Sequence, residues 1–139
     1  MNYFYSNLLF IPAFTFVLAI VIKWLSIKIK NKKWDINAAL WSGGMPSVHS
    51  AVVVSLTTAV ALKEPNWISS DLFAVCLAFT VIIIYDAINV RFEAWLHAEA
   101  INKLFPEWKR FKESLWHLPS EAFVWSLLGI VVAYLMYLL

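Results

Sequence analysis

The stretch His117-Leu-Pro-Ser-Glu121 places an imidazole four residues before a carboxylate, at the start of an apolar run. If Pro119 occupies the first turn of a helix, Glu121 lies within that turn and His117 lies just before it. A carboxylate there can hold the imidazole in one tautomer, as a catalytic histidine requires. The simpler interpretation is an interfacial histidine and a first-turn glutamate that binds free helix amides.

A second candidate is residues 42–50, which read Ser-Gly-Gly-Met-Pro-Ser-Val-His-Ser. Gly44 and the glycine before it let the backbone approach a ligand closely, and Pro46 suits the first turn of a helix. Backbone amides from Ser47 onward would then face an anion above the helix N-terminus. His49 would add a proton donor. The alternative is an ordinary helix start with a capping serine and an incidental histidine.

A third candidate closes another apolar run, where Asp86, Asn89 and Arg91 occur within six residues. A carboxylate near the end of a membrane helix is costly unless it is paired. Asp86 has two candidate partners, Arg91 and Lys23, and either pair would hold helices together. Arg91 is alternatively a ligand for phosphate. The sequence leaves both interpretations open.

The composition shows which elements must position these side chains. Of the 139 residues, 62% are hydrophobic and 14% are charged, whereas soluble domains have roughly 45–50% and 25%. Eight Trp and ten Phe suit the headgroup level of a bilayer. The composition excludes an ordinary soluble domain and indicates a single membrane domain over residues 1–139.

Four apolar runs predict an all-α polytopic membrane bundle with about four transmembrane helices: Leu8–Ile22 (extended to Ile27), Ser50–Leu62, Leu72–Val90 and Ala122–Leu139. The second run has only 13 residues, fewer than the ~20 that cross the hydrocarbon core. Starting it at Pro46 or Ser47 lengthens it to about 16, and such a mismatch is tolerated.

An interfacial amphipathic helix is expected between the third and fourth runs. Its apolar residues recur at near-helical spacing, and Pro106 closes it. These residues are Phe92, Trp95, Leu96, Ala100 and Leu104.

The basic residues predict the orientation. Four crossings put the loop before Ser50 and the loop after Val90 on one side, with ten of the eleven Lys and Arg residues. The positive-inside rule places this face, and with it the three candidate motifs, in the cytoplasm. The protein is thus expected in the inner or plasma membrane if bacterial. The ten residues are Lys23, Lys28, Lys30, Lys32, Lys33, Arg91, Lys103, Lys109, Arg110 and Lys112.

Three ordered motifs between about Lys23 and Ile130 resemble the divergent membrane branch of the type-2 phosphatidic acid phosphatase superfamily, which also includes vanadium-dependent haloperoxidases. The motifs are Gly43-Gly44-Met45-Pro46-Ser47-x-His49-Ser50-Ala51, Tyr85-Asp86-Ala87-x-x-Val90-Arg91 and Lys112-Glu113-Ser114-Leu115-x-His117-x-Pro119-x-Glu121. The usual Ser-Arg pair before the last histidine is missing, with Arg110 and Lys112 as nearby substitutes.

The resemblance implies a mechanism without metal or cofactor. His117, oriented by Glu121, would attack phosphorus, and His49 would protonate the leaving oxygen. Asp86 and Asn89 would be structural or site partners. The phosphoryl oxygens would be held by Lys23, Lys33, Gly44, Ser47, Arg91, Arg110 and Lys112.

We therefore expect a metal-independent membrane phosphatase acting on a lipid phosphate or isoprenyl (di)phosphate from the cytoplasmic leaflet. The alternatives are a protein that binds or translocates an anionic lipid, and a structural subunit that keeps only the scaffold. Hydrolysis is favoured because binding needs Lys and Arg but no oriented histidine. The expected partners are the substrate, membrane lipids and, as an open alternative, a second copy of the chain, but no nucleic acid.

Overall fold

The computed structural model describes residues 8–31, 47–111, 113 and 118–139. These ranges contain helices and no strand, which confirms the predicted all-α fold. A 3-10 turn covers Trp67–Ser69, and a π-helical segment covers Asp86–Val90. The α-helices are α1 (Phe10–Asn31), α2 (Val48–Lys63), α3 (Asp71–Tyr85), α4 (Arg91–Leu104) and α5 (Pro119–Leu138).

Three stretches of helix are long and apolar enough to cross a membrane: Phe10–Ile29, Asp71–Leu104 and Pro119–Leu138. Helix α2 has 16 residues, about 24 Å of rise, which is less than the ~30 Å hydrocarbon core. The short second run of the sequence is thus a short helix in the structure. The fold is a helical membrane bundle.

Helix α2 lies at the centre of this bundle and packs most extensively against α5, then against α3 and α1. Its buried face carries small residues, among them Ala51, Ser55 and Ala59, each with 0% exposure. On α5, a Cβ added to Gly129 would lie 2.4 Å from the Ala51 carbonyl oxygen and 3.0 Å from the Ser55 nitrogen. Small residues thus let the two backbones approach closely, as is common between membrane helices.

The buried contacts also give the helix directions. Near one end of the bundle, Ile11 of α1, Ala59 of α2 and Ala133 of α5 form a single buried cluster. On α2 and α5, Ala51 lies next to Gly129. These residues precede Ala59 and Ala133 of the cluster, so the two helices run parallel. Helix α1 runs antiparallel to both, since its start meets their later turns. The starts of α2 and α5 and the later turns of α1 therefore share the opposite end.

Hydroxyl groups join α2 to α3 in the bundle interior. Thr57 Oγ1 and Thr80 Oγ1 lie 2.8 Å apart, and Thr57 also donates to the Val53 carbonyl oxygen at 3.0 Å. Interhelical hydrogen bonds of this kind contribute on average about 0.6 kcal/mol in a membrane. Thr57 of the second apolar run therefore has a role in packing.

Helices α3 and α4 form one continuous helix of 34 residues, joined through the π-helical segment. At ~1.5 Å per residue its length is about 51 Å, well beyond the ~30 Å hydrocarbon core. The sequence predicted a span ending at Val90 and an interfacial helix after it. The structure joins these two elements without a break in the helix.

The protein-facing side of α4 is formed by other residues than the apolar face of the predicted interfacial helix. Its buried residues are Ala98 and Asn102, whereas Leu96, Ala100 and Leu104 are exposed. In a bilayer the exposed apolar side is the one that lipid contacts. The helix ends at Leu104, and the Phe105 N–H donates to the Ile101 carbonyl oxygen at 2.9 Å, just before Pro106.

Candidate functional site

Ser47 is the N-cap of α2. Its Oγ accepts a hydrogen bond from the Ser50 N–H at 3.4 Å and lies 2.9 Å from Ser50 Oγ. Both serines are fully buried. A capping serine supplies one of the acceptors that the free amides of a first turn require. This cap fixes where the helix begins and places His49 in its first turn.

The His49 side chain is exposed and lies within electrostatic range of Lys23, Asp86 and Arg91. These residues come from α1, α2 and the junction of α3 with α4, at the end of the bundle where α2 begins. Lys23 has only 4% of its surface exposed. We call these four residues the cationic cluster. His49 therefore lies within electrostatic range of three other residues that the sequence singled out.

Arg91 binds Asp86 through two groups. Its backbone N–H donates to the Asp86 carbonyl oxygen, and its Nε donates to Asp86 Oδ2 at 2.8 Å. The first contact is the i to i+5 bond of a π turn, which brings residues five apart onto one side. Of the two partners predicted for Asp86, Arg91 is the one found in this contact.

The ion pair also orients the guanidinium group. Since Nε points at Asp86, the edge formed by the two Nη groups is directed away from it. The Asp86 side chain is 41% exposed and the Arg91 side chain is 36% exposed, so part of the Arg91 side chain is accessible. It can donate two parallel hydrogen bonds to a phosphoryl group.

Glu121 caps α5. Pro119 is the first residue of the helix, as predicted, and Glu121 Oε2 accepts a hydrogen bond from the Leu118 N–H at 3.1 Å. This contact matches the simpler interpretation of the motif, in which a first-turn glutamate binds a free amide. Helix α5 also contacts the π-helical segment, so its packing reaches the element that carries Asp86.

The remaining predicted site residues are distributed as follows. Asn89 is exposed, and its Nδ2 lies 3.5 Å from the Tyr85 carbonyl oxygen, a long contact. Arg110 is exposed in the loop after α4. Among the described residues, no group of three or more His, Cys, Asp or Glu side chains is placed to hold a metal ion. His117, Lys33, Gly44 and Lys112 lie outside the described residues.

The sequence reasoning missed Asn102, which organises the loop after α4. This side chain is 8% exposed. Its Nδ2 donates to the Phe111 carbonyl oxygen at 2.9 Å and to Glu113 Oε1 at 2.8 Å. Its Oδ1 accepts from the Phe111 N–H at 2.9 Å. Helical periodicity does not reveal such partners, because they lie nine and eleven residues away in a loop.

Comparison with known proteins adds two findings. Residues 4–132 match the sequence profile of the Divergent PAP2 family. The chain is 38% identical to the uncharacterized membrane protein YuiD of Bacillus subtilis (strain 168), in an alignment covering 75% of this chain and 77% of that protein. No solved structure matches the chain significantly.

Proposed function

Because the chain belongs to the divergent PAP2 family, we propose that it is a membrane phosphatase hydrolysing a lipid phosphate or an isoprenyl (di)phosphate. The observation that carries the proposal is the cationic cluster, in which Lys23, Asp86 and Arg91 lie within electrostatic range of His49. Lys23 and Arg91 together with Asp86 give the cluster one more positive than negative charge. It therefore attracts a phosphate and holds a histidine beside it.

The phosphoryl group would be bound mainly by Arg91, and the buried Lys23 would add positive charge beside it. Asp86 holds Arg91 by Nε at 2.8 Å, which leaves the two Nη groups to form a fork for two phosphoryl oxygens. Lys23 supplies a compact positive charge from α1. Lys33, Gly44, Ser47, Arg110 and Lys112 complete the proposed set through the family resemblance.

The reaction would proceed in two steps, the formation and the hydrolysis of a phosphohistidine. An imidazole nitrogen of His117 attacks phosphorus, the bond to the leaving oxygen breaks, and protonated His49 gives that oxygen its proton. A water molecule then attacks the phosphohistidine and passes a proton to His49, which releases phosphate and restores both histidines. Such positioned proton transfer contributes typically 10²–10⁴-fold. Electrostatic stabilisation of the phosphoryl oxygens by the cluster supplies the rest.

The same arrangement supports a second function, the binding or translocation of an anionic lipid without hydrolysis. The observation that favours it is the Glu121 carboxylate, which accepts a hydrogen bond from the Leu118 N–H at 3.1 Å. A carboxylate engaged in a helix cap has a structural reason to be present. Binding alone would need Arg91 and Lys23 but neither histidine.

Phosphate release from a panel of lipid phosphates and isoprenyl (di)phosphates, with purified protein in detergent, tests the proposal. Wild type should release phosphate, and His117→Ala should release none while its fold and lipid-phosphate binding persist. Trapping a phosphohistidine at position 117 would support the mechanism directly. Hydrolysis by His117→Ala at the wild-type rate would exclude it. A wild type that binds lipid phosphates without hydrolysing them would support the second function.

A further inference from the structure

An exposed loop follows α4 and combines aromatic with basic side chains. It covers Phe105–Phe111, and we call it the aromatic loop. Every residue in it is exposed, and its Phe, Trp and Phe side chains are 40%, 55% and 50% exposed in chain order. Large apolar side chains that are exposed together mark a surface that a membrane or another partner covers.

The aromatic loop has a defined conformation although it is exposed. Asn102, buried on α4, donates to the Phe111 carbonyl oxygen at 2.9 Å and accepts from the Phe111 N–H at 2.9 Å. Within the loop, the Trp108 N–H donates to the Phe105 carbonyl oxygen at 3.1 Å. The rings of these two residues stack with their centroids 4.5 Å apart. Because these contacts already order the loop, docking on a partner costs little further conformational entropy.

The aromatic loop also carries positive charge. Lys109 and Arg110 outnumber Glu107, the acidic residue of the loop. Among the residues that the structure describes, the ion pairs join Arg91 to Asp86 and Lys103 to Glu99, so neither cation of the loop takes part in one. Tryptophan is favoured at the headgroup level of a bilayer, and Lys and Arg near an anionic leaflet are attracted to it. The composition of the loop therefore suits the surface of an anionic bilayer.

The length of the helix before the loop indicates how the loop can meet the membrane. The helix begins at the charged Asp71, and its rise from there to Val90 is about 30 Å, the thickness of the hydrocarbon core. Helix α4 then adds about 21 Å, whereas the headgroup layer is only about 5–7 Å deep on each side. An upright α4 would hold the aromatic loop in water. An α4 inclined toward the membrane plane lays the loop on the headgroups, and π turns are a known cause of helix bending.

We propose that the aromatic loop docks on the headgroup layer of the bilayer and selects anionic lipids there. Its rings lie between the headgroups, while Lys109 and Arg110 attract the lipid phosphates. Asn102 keeps the loop in the shape that presents both kinds of side chain. A second copy of the chain is a poorer occupant, because a symmetric contact would bring the like charges of two loops together. The role is independent of the proposed function, since it involves no hydrolysis.

Spin labelling measures whether the loop meets the bilayer. In a Cys76→Ala background, full-length Phe111→Cys keeps the backbone bonds to Asn102 and carries a nitroxide. The protein is placed, one copy per disc, in nanodiscs of phosphatidylcholine with phosphatidylglycerol. The label should be several-fold less accessible to a water-soluble nickel complex than a label at Asn66→Cys, in the exposed turn after α2. Equal accessibility at the two positions, or protection only in discs with two copies, would overturn the proposal.

A change of lipid tests the selection of anionic headgroups. In discs of pure phosphatidylcholine, the label at position 111 should become several-fold more accessible. In the mixed discs, Lys109→Gln should weaken the protection about 5-fold, the factor expected for one cation near an anionic surface. Lys63→Gln is the matched control, because it removes the same charge at the opposite end of α2 and should change nothing. Equal protection in the two lipid compositions, or equal effects of the two Gln variants, would contradict the proposal.

A last variant tests the part played by Asn102. With Asn102→Ala, the label at position 111 should become more mobile and several-fold more accessible to nickel in the mixed discs. Glu99→Gln is the control, because it removes only the ion pair with Lys103 about one turn earlier on the same helix. An unchanged label in Asn102→Ala would contradict the anchoring role. None of these measurements uses phosphate release, so a failure of the proposed function would leave their outcome unaffected.

Discussion

Arg91 and Asp86 are joined twice, by a backbone hydrogen bond across the π turn and by an ion pair of 2.8 Å between Nε and Oδ2. The backbone bond fixes the distance between the two Cα atoms, so the two side chains lose little further conformational entropy when they pair. The pair is partly exposed, and such pairs contribute about 0–1 kcal/mol to stability. Its main effect is therefore to orient the guanidinium group.

Arg91→Ala should weaken vanadate or phosphate binding by roughly 10- to 100-fold, since hydrogen bonds to charged groups contribute about 1.5–3 kcal/mol. Arg91→Lys should recover only part of this affinity, because an ammonium group cannot form the two-pronged contact. Equilibrium binding to the purified protein measures both variants. If both bind like wild type, Arg91 serves only as the structural partner of Asp86.

His49→Ala should slow hydrolysis of a lipid phosphate by about 10²–10⁴-fold, because the leaving alkoxide loses its proton donor. A nitrophenyl ester leaves without that proton, so this substrate should rescue much of the rate. The same ester should not rescue His117→Ala, which lacks the nucleophile. Comparable defects of His49→Ala with both esters would argue against a general acid at position 49.

Substitutions of Glu121 separate its observed cap from its proposed role beside His117. Glu121→Gln keeps an acceptor for the Leu118 N–H but loses the charge, so thermal stability should hold while kcat falls. Glu121→Ala should lose both, with a cap contribution of about 0.5–2 kcal/mol. Stability and kcat are measured on the same preparations. A Gln variant with wild-type kcat would limit Glu121 to capping.

Gly129→Ala should destabilise the bundle by about 1–3 kcal/mol, the usual range for overpacking. Alanine favours a helix over glycine by about 1 kcal/mol, but here the new Cβ would meet the Ala51 carbonyl oxygen at 2.4 Å. Backbone atoms of a packed helix cannot move aside easily, so the clash should dominate. Thermal unfolding in detergent measures the effect, with Leu127→Ala on the exposed side of α5 as control.

The orientation predicted from the basic residues can be checked by labelling. Single cysteines at Lys33 and Lys109, in a Cys76→Ala background, should be reached only from the cytoplasmic side. Cysteines at Glu64 and Leu139 should be reached only from outside. Labelling of positions 33 and 109 from opposite sides would mean that the three motifs cannot form one site.

Local signals in the sequence predicted most helix boundaries. A capping serine before α2, Pro119 at the first position of α5 and Pro106 after α4 each act through the backbone of adjacent residues, so a sequence shows them directly. The predicted place of Pro46 in the first turn differs from the structure, in which Ser47 is the cap and the helix begins at Val48. The membrane bundle followed from composition and run length. The family resemblance selected Lys23, His49, Asp86 and Arg91, and the structure brings the other three within electrostatic range of His49.

The features that the sequence did not reveal depend on partners that are distant along the chain or on small local changes. Asn102 looked like one more polar residue on an amphipathic helix, because its bonds go to a loop. Gly129 is required because its backbone lies against Ala51 and Ser55 of another helix. The π turn between Asp86 and Val90 has no distinctive composition.

The π-helical segment has a further consequence for the 34-residue helix in which it lies. A π turn accommodates about one residue more than an α turn, and each residue of an α-helix rotates the chain by about 100°. The segment therefore sets the rotational phase between α3 and α4. Without it, Asn102 and Ala98 would point about 100° away from their present direction, and a different side of α4 would face the loop that Asn102 now holds.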